Sequence, residues 1–142
     1  MNMKIFLFLI LIVVFSSCCD TYVEVTYEYE DVMIKRVDEC GISTFYYGEI
    51  SNSSPRVWAT YSGINDGFSG YLVFGENQKV IILSGDGYFQ SENIDTAKLE
   101  YNRISYEDVP LGKGVYYIML ATNLEKERNM NTGNGVKVEY MD

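Results

Sequence analysis

Apolar and polar residues alternate one by one along much of this chain, the mark of strands with one wet face. From Tyr22 to Glu30, Val23, Val25, Tyr27 and Tyr29 share one side and Glu24, Thr26, Glu28 and Glu30 the other. The glutamate face is expected in solvent, where its charges also discourage edge-to-edge pairing. Val32 to Val37 is shorter and interrupted by Lys35 and Arg36, and Asp38-Glu39-Cys40-Gly41 reads as a turn. Ser43 to Ile50 is β-rich, 51–55 is a polar loop, and Arg56 to Tyr61 is a strand carrying the only tryptophan, Trp58. Gly63-Ile64-Asn65-Asp66-Gly67 has strong turn chemistry, since Asn, Asp and Gly tolerate positive φ.

The clearest hairpin runs from Gly70-Tyr71-Leu72-Val73-Phe74 through Glu76-Asn77-Gln78 to Lys79-Val80-Ile81-Ile82-Leu83. Both arms are apolar on both faces, which places the pair at the centre of the core. Ser84 to Gly87 turns the chain before Tyr88-Phe89, and Gln90 to Thr96 reads as a polar loop. A modest edge pattern spans Ala97 to Arg103, and a turn at 109–114 leads into the strongest apolar run, Val115 to Ala121. Residues 123–135 are polar and loop-like, with room for a short helix at 124–128, and Val136, Val138 and Tyr140 close the chain as a strand. About eight strands at this spacing, without a long amphipathic helix, predict an all-β fold: an antiparallel β-sandwich or small barrel.

The first residues follow another rule. One cation, Lys4, precedes eleven consecutive apolar residues, Ile5 to Phe15. A spanning helix needs about 20, so the run fits the core of a cleaved export signal instead. The exit, Phe15-Ser16-Ser17-Cys18-Cys19-Asp20, resembles the lipobox of bacterial lipoproteins: a large apolar residue and two small ones precede the modified cysteine. Phe15 stands where that pattern usually has leucine. The resemblance implies cleavage before Cys18, which then carries diacylglycerol and an N-acyl chain, enough together for stable anchoring. The organisation expected is a signal peptide at 1–17, a lipidated tether at 18–21 and one domain at 22–142. The place that the resemblance implies is the bacterial cell envelope, with the outer membrane of a Gram-negative cell expected.

Of 142 residues, 125 remain after the 17-residue leader, a usual size for one domain. Losing Lys4 with the leader takes the net charge from −9 to −10. So acidic a chain lacks the basic footprint of nucleic-acid binding and gains nothing electrostatically from anionic lipid. Membrane contact is therefore assigned to the acyl chains alone. There is no histidine, which removes Ser-His-Asp and Cys-His nucleophiles and any histidine zinc site. With Cys18 lipidated, Cys19 and Cys40 are the remaining thiols: in an oxidising compartment they can pair, or Cys40 is a small buried hydrophobe, which is the reading expected. No metal or other cofactor is expected.

Thirteen tyrosines, seven phenylalanines and one tryptophan are the remaining chemical signal. Strands favour such residues for packing, yet Tyr and Trp beside loops also suit recognition, joining an apolar ring to a polar handle. Trp58, Tyr61, Tyr46 and Tyr47 are the candidate binding residues. Asn65-Asp66-Gly67 and Asp86-Gly87 lack the acidic ladder of a calcium loop and read as turns. Asp95-Thr96-Ala97 resembles the three-residue acceptor of bacterial O-glycosylation in some lipoproteins. The expectation is a non-enzymatic binding protein whose partner is a protein, basic in the case of an immunity or inhibitor role. A glycan-binding accessory module is the alternative, and a carboxylate-based hydrolase comes third.

Overall fold

The computed structural model describes residues 22–39, 42–60, 69–85, 88–104, 112–119, 124–131 and 137–141. Ten strands and one short helix lie among them: β1 (Tyr22–Tyr29), β2 (Val32–Glu39), β3 (Ile42–Tyr47), β4 (Arg56–Thr60), β5 (Ser69–Phe74), β6 (Val80–Ser84), β7 (Tyr88–Glu92), β8 (Leu99–Arg103), β9 (Val115–Met119), α1 (Leu124–Met130) and β10 (Lys137–Met141). They form two open sheets, ordered β10-β1-β2-β3-β4-β7 and β8-β6-β5-β9. Both sheets contribute to one buried cluster, so the all-β expectation resolves to a sandwich and not a barrel. Every pairing is antiparallel except β6 with β8, which run parallel. The excursion through β7 brings the chain back alongside β6 in the same direction, making the smaller sheet mixed.

Alternation decides which side chains enter the core. From the six-stranded sheet come Val23, Val25, Tyr27, Ile34, Phe45, Val57 and Ala59; from the four-stranded sheet Leu72, Phe74, Val80, Ile82, Tyr116 and Ile118. Burying one such aliphatic or aromatic side chain contributes roughly 1.5–3 kcal/mol. Tyr116 joins the layers, meeting Tyr27 edge-on at 5.7 Å and Phe74 at 5.3 Å. Across the opposite flank Phe89 stacks on Tyr101 at 3.6 Å.

Three elements depart from the sequence reading. Asp38 and Glu39 continue β2 instead of turning, because Arg36 and Asp38 occupy inward positions and satisfy each other at 3.0 Å. Gln90 to Glu92 extend β7, whose polar residues suit the edge of a sheet. The glutamate face of β1 is not uniformly wet either. Glu24 is buried and pairs with Lys35 at 3.1 Å, and Lys35 also reaches Glu49 at 3.0 Å. Cys18, Cys19 and Cys40 lie outside the described residues, as do both turns weighed as calcium loops, Asn65-Asp66-Gly67 and Asp86-Gly87. Thr96 sits exposed in a turn closed by the Ala97 amide on Asp95 Oδ1, 3.2 Å away.

Helix α1 seals an edge. β9 ends the smaller sheet, and such an edge presents unpaired backbone groups to any passing strand. The Asn131 side chain, just beyond the helix, answers both groups of Tyr117: its Oδ1 accepts from the amide at 2.8 Å and its Nδ2 donates to the carbonyl at 2.7 Å. Glu127 Oε2 accepts the Met119 amide at 2.7 Å. That same carboxylate enters the core. It receives the Tyr27 hydroxyl on one oxygen and Arg36 Nη1 at 2.9 Å on the other, while Arg36 Nη1 also donates to the Tyr27 oxygen at 2.7 Å. Ser43 completes the cluster by donating to Asp38.

Arg36, Tyr27 and Glu127 are each at most 1% exposed. Burial opposes the charge on Arg36, but Tyr27, Glu127 and Asp38 outweigh it and keep the guanidinium firmly protonated. Burial raises the Asp38 carboxyl above its ordinary range, with Arg36 and Ser43 pulling the other way. Burial also holds the Tyr27 hydroxyl well above its ordinary value, reinforced by Glu127. A phenol raised in the folded state contributes stability that is intact below the unfolded pKa of about 10 and lost as pH rises through the folded value. Alkaline unfolding should therefore coincide with Tyr27 ionisation, followed by absorbance of the tyrosinate. Tyr27→Phe should flatten that loss above pH ~10 while lowering neutral-pH stability by about 1–2 kcal/mol through its missing hydrogen bonds.

Candidate binding groove on the larger sheet

The outer face of the six-stranded sheet is laid out by register. One row across the strands reads Glu24, Val37, Thr44, Trp58, Gln90; the next reads Thr26, Lys35, Tyr46, Arg56, Glu92. On the other side lie Tyr22, Glu39 and Ile42. Short side chains at Val37 and Thr44 sit among long ones, so the surface dips there. The result is a groove of about 490 Å³ lined by Val37, Glu39, Ile42, Thr44, Tyr46, Trp58 and Gln90. That volume is typical of ligand-binding clefts.

Of the four candidate binding residues, the structure brings Trp58 and Tyr46 together in this groove. It separates Tyr47, whose neighbouring position on β3 points to the opposite face. Tyr47 packs against the core, donates its hydroxyl to the Gln78 carbonyl at 2.8 Å and lies beneath the Lys98 ammonium at 5.7 Å. It braces the β5–β6 hairpin, where Asn77 and Gln78 both hold positive φ. Tyr61 lies outside the described residues. Ile42, Val37, Thr44, Glu39 and Gln90 were not singled out from the sequence. Four of these are polar or short side chains on strands, a composition that periodicity assigns to a solvent face without saying that the face is hollow.

The polar groups in the groove differ from those around it. The neighbouring cations are committed: Lys35 to Glu24 and Glu49, Arg56 to Glu92. Arg56 also lies 5.2 Å from the Trp58 ring centroid, and its Nε hydrogen has no acceptor among the described residues. By contrast the Glu39 carboxylate, Gln90 amide, Thr44 and Tyr46 hydroxyls and Trp58 indole N–H make no side-chain hydrogen bond among the described residues. Negative charge marks the nearer end. Burial first, then Glu24, Tyr46 and Glu39, hold the Tyr22 hydroxyl above its ordinary value against the pull of Lys35. Chemically the groove offers two aromatic side chains, an aliphatic floor and a carboxylate with no ion-pair partner among the described residues.

Elsewhere, buried Asp38 and Glu127 both serve Arg36 and neither lines the groove. Among the described residues no three acidic or cysteine side chains are placed to share a metal ion. No family model, curated protein or solved structure matches this chain, so its reading rests on its own geometry.

Proposed function

We propose that this chain is a non-enzymatic binding protein, held at the bacterial envelope by lipid on Cys18, whose groove captures a basic segment of a partner protein. The observation that carries the reading is the meeting, in one groove, of two aromatic rings with the Glu39 carboxylate, which has no ion-pair partner among the described residues. An ammonium or guanidinium gains from both, because ring faces attract cations and a carboxylate binds them directly. The net charge of the chain would draw such a partner in and speed encounter. The immunity or inhibitor role is one form of this reading.

Trp58 is the only tryptophan, so its fluorescence reports on the groove alone. Arginine-rich peptides should perturb it, acidic peptides should not, and the affinity should fall as salt rises. Trp58→Ala is expected to weaken binding by about thirtyfold, the scale of an interface hot spot. Glu39→Gln should weaken it several-fold and reduce the salt dependence. The mixed donors and acceptors of Gln90, Thr44 and Tyr46 also suit a neutral sugar. Salt-insensitive binding of an oligosaccharide, unchanged by Glu39→Gln, would replace the protein reading with the glycan one.

A further inference from the structure

The outer face of the smaller sheet is built unlike that of the larger one. Register places Tyr117, Tyr71, Leu83 and Asn102 in one row and Val115, Val73, Ile81 and Glu100 in the next. Six of these eight are apolar or aromatic, and all six are half-buried, with Tyr71 and Tyr117 meeting edge-on at 5.4 Å. The core-facing positions of the same strands are Leu72, Phe74, Val80, Ile82, Tyr116 and Ile118. The strands are thus apolar on both faces, as strands covered on both sides are. On the larger sheet, by contrast, the outward rows mix Glu24, Thr26, Lys35, Arg56, Gln90 and Glu92.

We infer that this face is a two-fold interface with a second copy of the chain. Charge selects the partner. The chain carries a net charge of −9, so two copies repel over most of their surfaces. Among the described residues, the charged side chains in the two rows and at their border are Glu100 and Lys79, which pair with each other and leave that part of the face neutral. A two-fold axis through it sets aliphatic rows against aliphatic rows with no like charges opposed. Area sets the strength. Four strands about 4.8 Å apart and five residues of about 3.3 Å each cover roughly 300 Å² in projection. Allowing for relief of the side chains, two copies bury on the order of 1,000 Å², the lower end for a specific interface. The dimer is therefore weak and reversible, favoured where copies are crowded. Its two grooves, on the far sheets, face outward and present two binding sites, which raises avidity for a repetitive or clustered partner.

The test uses the full-length chain expressed in cells as two epitope-tagged versions, with a photo-crosslinking amino acid at position 83. Irradiation should yield a species of twice the chain mass bearing both tags, and the same label at exposed Glu125 should not. Adding Val73→Asp should cut the yield from position 83 at least tenfold, with thermal unfolding of the purified variant showing that the domain stays folded. No doubly tagged species from position 83, or a product containing one tag and a different protein, overturns the inference. Loss of peptide binding at Trp58 with the crosslink intact would count against the groove reading alone.

Discussion

Arg36→Met is expected to destabilise the domain by about 3–5 kcal/mol, because it strands two buried carboxylates whose charge the guanidinium neutralises. Methionine fills much of the same volume, so the loss measures electrostatics more than a cavity. Arg36 is 1% exposed and touches Asp38, Glu127 and Tyr27. Its Nη2 makes no hydrogen bond among the described residues, so the native cluster already bears some cost of burial. Neutralising the stranded acids should recover part of the loss: Arg36→Met with Asp38→Asn and Glu127→Gln is expected to stand about 1–2 kcal/mol above the single variant. Glutamine keeps an acceptor for the Met119 amide, which an aliphatic residue would orphan. Urea unfolding measures both effects, and pH supplies a further check on the cause. Burial holds the Asp38 carboxyl up, and without Arg36 it rises further. A raised carboxyl contributes stability that is present below the unfolded value and lost as pH rises through the folded one. The single variant should thus regain stability on acidification from neutral pH toward the ordinary carboxylate range, more than the native chain does. Equal losses at both pH values would show that the cluster does not work through charge.

That cluster also marks where sequence reasoning stops. Alternation located β1 and the closing strand, whose apolar residues sit two apart, and the polar connection between two continuous apolar runs located the β5–β6 hairpin. It could not admit Arg36 and Asp38 to the inward set of β2, since the partners that make them tolerable come from Tyr27, nine residues earlier, and Glu127, 91 residues later. A long-range ion pair leaves no local trace. The same holds for the parallel pairing of β6 with β8, a property of the path between them. The groove was half legible. Trp58 and Tyr46 were visible as aromatic residues near loops, and the period-two rule alone excludes Tyr46 and Tyr47 from sharing a face. Its depth was not legible, because depth comes from Val37 and Thr44 standing beside longer side chains on neighbouring strands. The apolar outer face of the smaller sheet was plain in the sequence, although both faces were assigned to the core of one molecule.

Gly70→Ala is expected to cost about 3 kcal/mol, though it adds a single methyl group. Gly70 lies within β5, between β6 and β9, where its pairs are Ser84 and Ile118. A Cβ built there would stand 2.6 Å from the Leu83 carbonyl oxygen and 3.3 Å from the Ile118 side chain. The isoleucine can turn aside, but the carbonyl belongs to the paired backbone of β6 and moves only if the ladder moves. The strain therefore spreads into the strand beside it and loosens Leu83 and Ile82, one on each face of the sheet. Gly48→Ala makes the comparison. Gly48 has φ of 77° with nothing within 4 Å of an added Cβ. Its penalty is confined to the left-handed backbone, about 1 kcal/mol. Urea midpoints of the two variants separate crowding from backbone preference: the larger drop should fall on the glycine whose φ is ordinary. If Gly70→Ala matched the native midpoint, β5 and β6 would have room between them that the sandwich as described does not leave.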